Sequence, residues 1–151
     1  MTVIKLTTTI KAPIEKVFNL SRSIDFHIKT ASKTNEKVIA GRSTGLIELG
    51  ETVTWKGKHF VLYLTHQSLI TQYDFPKSFT DEMVSGHFNY FKHQHLFDTD
   101  HTYTYMTDIL SYQVPYGKIG SLIDFLWIKK HLTQFLLHRN TLLKERAMTD
   151  T

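Results

Sequence analysis

The residues of this chain best suited to chemistry are two histidines that lie one position apart, His93 and His95. They belong to the run Phe91–Phe97, in which apolar and polar residues alternate as they do in a strand. Successive side chains of a strand point to opposite faces of the sheet. Phe91, His93, His95 and Phe97 therefore share one face, and two imidazoles lie side by side on it.

A hairpin after this run brings a carboxylate to the same face. If Thr99-Asp100 is a two-residue turn, His93 lies opposite Met106, and Asp108 is diagonal to His93. Odd positions on the first strand then share a face with even positions on the second, so Tyr112 also lies on that face. The predicted wall thus combines aromatic, imidazole and carboxylate side chains.

Three interpretations of this wall are open. His93 and His95 are a possible start of a metal site, which needs a third ligand from Asp108 or Glu51. His93 and Asp108 are alternatively a general acid–base pair, as a polyketide cyclase or dehydratase would use. We favour the third interpretation, in which they are polar members of a cavity wall, because a third metal ligand would require favourable geometry and the sequence shows no set of groups that would stabilise an enolate. We therefore predict no metal and no other cofactor.

A second hairpin supplies a more apolar wall. The Lys56-Gly57 pair is typical of a turn and would place Val53 opposite Phe60. Glu51 is then a possible polar member of this face. The apolar residues that we expect to contact a ligand here are Val53, Trp55, Phe60 and Leu62.

The elements that position these walls follow from the changing periodicity of the chain. A strand is predicted from Val3 to Lys11, and a short helix to about Leu20 follows Ala12-Pro13. Ser23 is a suitable N-cap for a second short helix. The stretch 36–114 has the β-branched and aromatic runs and the turn signals of an antiparallel meander, and the stretch from about Lys118 to Arg146 is one long helix.

This order of elements predicts an α+β helix-grip fold, in which a curved antiparallel sheet wraps around the long C-terminal helix. The two short helices follow the first strand. A hollow between sheet and helix is a natural place for a ligand, and we expect Leu122 and Leu126 of the long helix to contact it.

Composition narrows the class of protein. The chain has 151 residues, which is enough for one domain covering residues 1–151, and 13% of them are aromatic. It contains no cysteine, which excludes disulfides and thiolate chemistry. The net charge of +4 comes without a long Lys/Arg run, so we do not expect nucleic-acid binding. We predict neither a signal peptide nor a transmembrane segment, and a cytoplasmic location.

Several motifs resemble those of the bacterial ligand-binding SRPBCC proteins, in the superfamily of START lipid-transfer domains, birch-pollen-type allergens and polyketide cyclases. The resemblance covers nearly the whole chain, although His87 stands where a proline is common. It implies a helix-grip domain around a large hydrophobic cavity and identifies no catalytic residue. The motifs are Gly86-His87-Phe88, His93-x-His95-x-Phe97, Met106-x-Asp108-x-Leu110-x-Tyr112, Pro115-x-Gly117-x-x-Gly120 and Arg139.

We therefore predict that the chain binds or carries a small lipid-like, steroid-like or polyketide-like molecule. The alternative function is an enzyme that uses His93 and Asp108. A third hypothesis is docking on a partner or membrane through the basic residues of the last helix, which are Lys129, Lys130, Arg139, Lys144 and Arg146. The sequence leaves the oligomeric state open.

Overall fold

The computed structural model describes residues 1–149. A five-residue π-helical segment, Asp124–Ile128, joins the last two helices. The strands and helices are Thr2–Ile10 (β1), Ile14–Ser21 (α1), Ile24–Thr30 (α2), Lys37–Gly41 (β2), Thr52–His59 (β3), Leu62–Asp74 (β4), Ser78–Ser85 (β5), Tyr90–Thr99 (β6), Thr104–Gln113 (β7), Gly117–Ile123 (α3) and Lys129–Thr149 (α4).

The strands form one seven-stranded antiparallel sheet in the order β1-β7-β6-β5-β4-β3-β2. Strands β2 to β7 pair in the order of the chain, and β1 pairs with β7. The two edge strands of the sheet are therefore β1 and β2. The C-terminal helix α4 packs against β1 and α1. The predicted helix-grip α+β fold is confirmed.

The two short helices begin where local chemistry sets them. Pro13 occupies the N-cap position of α1, and its extended backbone leads directly into the helix. The Ser23 hydroxyl accepts a hydrogen bond from the backbone N–H of Phe26 at 3.2 Å, as the predicted cap requires. Both helices lie against the inner side of the sheet, with Phe18 and Ile24 buried.

A large cluster of buried apolar side chains packs against the C-terminal half of α4. Phe18 makes edge-to-face contacts with Tyr73 and Phe79 at ring-centroid separations of 5.5 and 5.3 Å. Leu143 and Ala147 of α4 belong to the same cluster and are fully buried. No residue of α4 before Leu136 is buried. The helix therefore grips the sheet at its C-terminal half and leaves space at its N-terminal half.

The predicted C-terminal helix is interrupted by the π-helical segment. Asp124 is buried there, and its carboxylate accepts a hydrogen bond from the Tyr112 hydroxyl at 2.6 Å and another from the Thr2 hydroxyl. These bonds fasten the segment to the ends of β1 and β7. A π-helical turn changes the phase of the helix, and such turns are frequent at functional sites.

The register of the β6–β7 hairpin differs from the prediction. The chain reverses over 100–103, where the Asp100 carboxylate accepts hydrogen bonds from the backbone N–H groups of Thr102 and Tyr103. His95 is thus the residue opposite Asp108, whereas Met106 lies opposite Phe97 rather than His93. The chain therefore turns two residues later than the predicted turn at Thr99-Asp100. Because this shift is even, each side chain still lies on the predicted face of the sheet.

The β3–β4 hairpin also turns later than predicted. Its turn is Phe60–Val61, both with left-handed backbone conformations, and Val53 pairs with Ser68. Gly57 lies inside β3, where an added Cβ would come within 2.5 Å of the Glu36 side chain. This glycine makes room for Glu36 and does not make a turn.

Candidate ligand cavity

A cavity of about 660 Å³ lies between the concave face of the sheet and the N-terminal half of the C-terminal helices. Its walls are mostly apolar, with imidazole and carboxylate groups at two places. The strand residues on its apolar wall include Val53, Trp55, Leu64, Ile70, Phe79, Phe91 and Leu110, and the helix residues include Ile123, Trp127, Ile128, Leu132, Phe135 and Leu136.

The predicted contact residues divide into those that line the cavity and those that do not. The residues in the wall are Val53, Trp55, Phe60, Leu62, Phe91, His93 and His95. Phe60 and Leu62 stand at its rim, since the late hairpin turn leaves both about half exposed or more. Their binding role remains a prediction.

The other predicted contact residues lie outside the wall. Phe97 and Met106 are buried in the core with Phe18, and Asp108 and Tyr112 are fully buried behind the wall. Leu122 and Leu126 are on the outer side of the C-terminal helices and are exposed. The sequence missed this because the stretch 119–128 is apolar on almost every face, so periodicity did not identify the inner one.

The first polar group, which we call the Asp–His cluster, consists of Asp81, His93 and His95 in the wall and Asp108 behind them. His93 Nε2 lies 2.9 Å from Asp108 Oδ1, so the predicted contact between these two residues is present. His95 lies between two carboxylates, with Nδ1 3.1 Å from Asp108 and Nε2 3.2 Å from Asp81. Asp81 comes from β5 and was not among the predicted residues.

The helix α4 anchors this cluster from behind. Asn140 Nδ2 donates a hydrogen bond of 2.7 Å to Asp108 Oδ2. The Arg139 guanidinium lies 3.8 Å from Asp108 and donates to the Ser21 backbone carbonyl. Arg139 is therefore buried, in contrast to the hypothesis that it is part of a basic docking surface.

Burial and charge together set the ionisation of the Asp–His cluster. Burial would raise the pKa of Asp108, but the hydrogen bond from His93 and the adjacent His95 imidazole hold that pKa well below its usual range. Burial lowers the pKa of His93, and the neighbouring His95 lowers it further. For His95, burial is outweighed by the two carboxylates, which raise its pKa. His95 is thus the imidazole that takes up a proton most readily.

The second polar group, the Glu36 cluster, was not predicted and consists of Glu36, His27, His59 and His131. Glu36 accepts a hydrogen bond of 2.7 Å from His27, and His59 Nε2 lies 3.4 Å from its other oxygen. His59 Nδ1 lies 3.0 Å from His131 Nε2, which joins the end of β3 to α4. These residues come from four separate parts of the chain, so no spacing in the sequence could show them.

Glu51, the other predicted polar residue, lies away from the cavity wall. Its carboxylate accepts hydrogen bonds from Arg42 Nη1 and from the backbone N–H of Glu48, both at 2.8 Å. Glu51 precedes Thr52, the first residue of β3, so the alternation that predicted an inward side chain does not extend to it. It is therefore not a ligand for a metal at His93 and His95.

Comparison with solved structures supports the fold. No family model matches the chain, and no curated protein matches it. Among solved structures, the protein TTHA0849 from Thermus thermophilus is similar over 99% of both chains, with a TM-score of 0.79 and 16% identity.

Two further solved structures come from distant organisms. A START superfamily protein from Mycobacterium smegmatis has a TM-score of 0.73 and 12% identity over 99% of each chain. The ginseng major latex-like protein 151 from Panax ginseng has a TM-score of 0.70 and 15% identity over 97% of each chain. The chain thus has a START-like helix-grip fold, as the resemblance of its motifs implied.

Among residues 1–149, no helix is long and apolar enough to cross a membrane.

Proposed function

We propose that this chain, whose fold is that of START and major latex-like proteins, binds a small, mostly apolar molecule in the cavity between its sheet and α4. The observation that carries the proposal is the cavity of about 660 Å³ with its predominantly apolar wall. Ligand sites of this kind usually have volumes of about 300–1,000 Å³ and a small number of polar groups that orient the ligand.

The polar groups in the wall indicate the class of ligand. Asp81, His93 and His95 face the cavity on one stretch of the sheet, and burial makes any polar atom there costly unless it finds a partner. A bare hydrocarbon would leave these groups without a partner on the cavity side. A lipid-like, steroid-like or polyketide-like molecule with one hydroxyl, carbonyl or carboxyl group satisfies them.

Filling the cavity tests this function. We expect the apolar dye 1-N-phenylnaphthylamine to fluoresce strongly with the wild-type protein and to be displaced by long-chain or polycyclic ligands. Leu132 lines the cavity from α4, so Leu132→Trp occupies its volume and should weaken dye binding at least tenfold. The measurement is a fluorescence titration of each variant.

A matched variant controls for indirect effects. Leu137 is on the same helix but is exposed on its outer side, so Leu137→Trp should bind the dye as the wild type does. Equal dye binding by Leu132→Trp and the wild type, with the fold of both intact, would show that the dye does not enter the cavity and would contradict the proposal.

A further inference from the structure

Three side chains of the Asp–His cluster converge on one point of the cavity wall. The oxygen of Asp81 and one nitrogen from each of His93 and His95 lie within 4.8 Å of one another. All three residues line the cavity, whereas Asp108 is fully buried behind them. The carboxylate of Asp108 is therefore the inner side of the cluster, and the side formed by Asp81, His93 and His95 is open to the cavity.

The ring nitrogens of the two histidines are divided between these two sides. His93 uses Nε2 toward Asp108, which leaves its Nδ1 available. His95 points Nδ1 at Asp108, and its Nε2 lies 3.2 Å from Asp81. His95 Nδ1 is buried and makes no well-formed hydrogen bond in this arrangement. Each imidazole thus has one nitrogen beside the inner carboxylate, and the other nitrogen of His95 lies beside Asp81.

We propose that Asp81, His93 and His95 bind a divalent transition-metal ion, with Asp108 holding both imidazoles in orientation. Two imidazoles and one carboxylate are a recurring ligand set for zinc and non-haem iron, and such a set leaves coordination positions open. A histidine that binds a metal usually donates its other N–H to a carboxylate or carbonyl. Asp108 Oδ1 accepts such a hydrogen bond from His93 at 2.9 Å and lies 3.1 Å from Nδ1 of His95.

The fixed parts of the cluster favour the ion. Asn140 holds Asp108 through a 2.7 Å hydrogen bond, so the inner carboxylate cannot turn away. Arg139 supplies one permanent positive charge beside Asp108, and a cation between the histidines would offset the negative charge of Asp81. Tetrahedral bonds of about 2.0–2.1 Å place ligand atoms roughly 3.4 Å apart, so the three side chains need to close by little more than 1 Å.

This site goes beyond apolar ligand binding and does not depend on it. The open coordination positions face the cavity, where they would take a water molecule or the polar group of a bound molecule. Coordination through Nδ1 also removes the lone pair that His93 would need as a general base. The metal site and the acid–base pair are therefore exclusive uses of this histidine.

Metal titration of chelator-treated protein tests the proposal. We expect one Co²⁺ per chain, with visible d–d absorption from nitrogen and oxygen ligands, and one Zn²⁺ by calorimetry. Asp81→Asn and His95→Gln should each weaken binding at least tenfold. His101→Gln, in the exposed β6–β7 turn, should bind as the wild type does.

The wild-type protein provides a test that does not require a variant to fold. Zinc should shift the imidazole ¹⁵N resonances of His93 Nδ1 and His95 Nε2 and leave those of His27 and His59 unchanged. Binding that is unaffected by Asp81→Asn, or zinc shifts confined to other histidines, would overturn the proposal. So would the absence of any stoichiometric binding to the wild type.

A different observation concerns the mouth of the cavity, where apolar side chains face solvent. We define this rim patch as Phe60, Val61, Leu62, Tyr116, Phe125 and Trp127, all about half exposed or more, with Tyr116 82% and Phe125 79% exposed. Four of them also line the cavity. The Phe60 ring lies 4.4 Å from that of His131, so the β3–β4 turn and the C-terminal helices form one continuous surface.

The charges around the rim patch have one sign. Exposed Lys56 and Lys58 flank it on β3, and Lys118, Lys129 and Lys130 flank it on the helices. The stretch 52–73 contains no acidic residue, and the stretch 114–144 contains only Asp124. Asp124 is buried and accepts hydrogen bonds from Tyr112 and Thr2.

We infer that the rim patch docks on an anionic lipid bilayer. Aromatic side chains partition into the interface of a membrane, and lysines near them bind anionic headgroups. A second copy of the chain fits less well, because a symmetric contact would bring these lysines against one another. Docking in this way would place the mouth of the cavity against the bilayer, into which apolar molecules partition.

Sedimentation with vesicles tests this inference. We expect the protein to bind phosphatidylglycerol–phosphatidylcholine vesicles and to bind pure phosphatidylcholine at least tenfold less. Phe125→Ser and Lys129→Glu should each reduce binding several-fold, whereas Leu137→Ser, on the outer side of α4, should not. Equal binding to both kinds of vesicle, or no binding to either, would overturn it. A dimer that Phe125→Ser dissociates would identify a second copy as the occupant and would also overturn it.

Discussion

At the scale of single residues, the most informative group is Glu36, a buried carboxylate that lies in the cavity wall between two histidines. Burial would raise its pKa, but hydrogen bonds from His27 and His59 outweigh this and lower the pKa from 4.5 to about 2. The folded state therefore prefers the ionised form of Glu36 more strongly than the unfolded state does.

This preference makes the contribution of Glu36 depend on pH. It is fully present above the unfolded pKa of about 4.5 and is lost as the pH falls through about 2. We expect Glu36→Gln to lower the free energy of unfolding by about 3 kcal/mol at pH 7 and by about half as much at pH 3. Urea unfolding of both proteins at the two pH values measures this.

The control is Glu145→Gln, which removes an exposed carboxylate of α4. Its effect should stay within about 0.5 kcal/mol at both pH values. If Glu36→Gln were equally destabilising at pH 7 and pH 3, the lowered pKa would not be the source of the stability.

The sequence predicted part of the polar chemistry at this scale. His93 and His95 lie one position apart on one strand, so alternation alone placed them on the same face, and an even error in register kept Asp108 there. Asp81 and Glu36 could not be found in the same way, because each lies outside the strand of the two histidines and reaches its partners through the pairing of β5 with β6 or the packing of α2. Only the fold brings them to the histidines.

At the scale of elements, the entry into α3 depends on a close approach of two backbones. Gly120 is buried, and an added Cβ would lie 1.8 Å from the Pro115 backbone carbonyl oxygen. The first turn of α3 therefore folds back onto the end of β7 only because this residue has no side chain. Tyr116, between these two, is thereby held at the cavity mouth.

Gly120→Ala should force α3 away from Pro115. We expect it to lower the free energy of unfolding by about 1–3 kcal/mol, because backbone atoms cannot yield as a flexible side chain can. Ser121→Ala, at the neighbouring exposed position, should change stability by less than about 0.5 kcal/mol. Chemical denaturation measures both, and equal stability of the two variants would contradict this account of α3.

The types of the elements could be predicted from the sequence, whereas the positions of the hairpin turns and the orientation of the C-terminal helices could not. The N-cap at Ser23 and the start of α1 after Pro13 followed from local rules, because both signals act within one turn of helix. Gly57 was misread as a turn residue because the sequence cannot show that Glu36 packs over it. The π-helical segment was missed for a similar reason, since the sequence cannot show that its first residue, Asp124, is buried and bonded to Tyr112 and Thr2.

At the scale of the whole molecule, the chain fills one end of its interior and leaves the other open. Phe18, Leu143 and Ala147 fill the end near the C-terminus of α4. At the other end, the residues between Lys129 and Phe135 are at most partly buried, and the cavity of about 660 Å³ lies beside them. The order of elements was enough to predict this architecture, because few layered arrangements accommodate it.

The most direct test of the central claim is an X-ray structure of the protein purified from its own host without exposure to detergent. We predict electron density for one small organic molecule between the sheet and Leu132, with its polar group beside His93 and His95. A cavity that is closed by repacked side chains, or that contains only ordered water in the native and the ligand-soaked protein, would contradict the account.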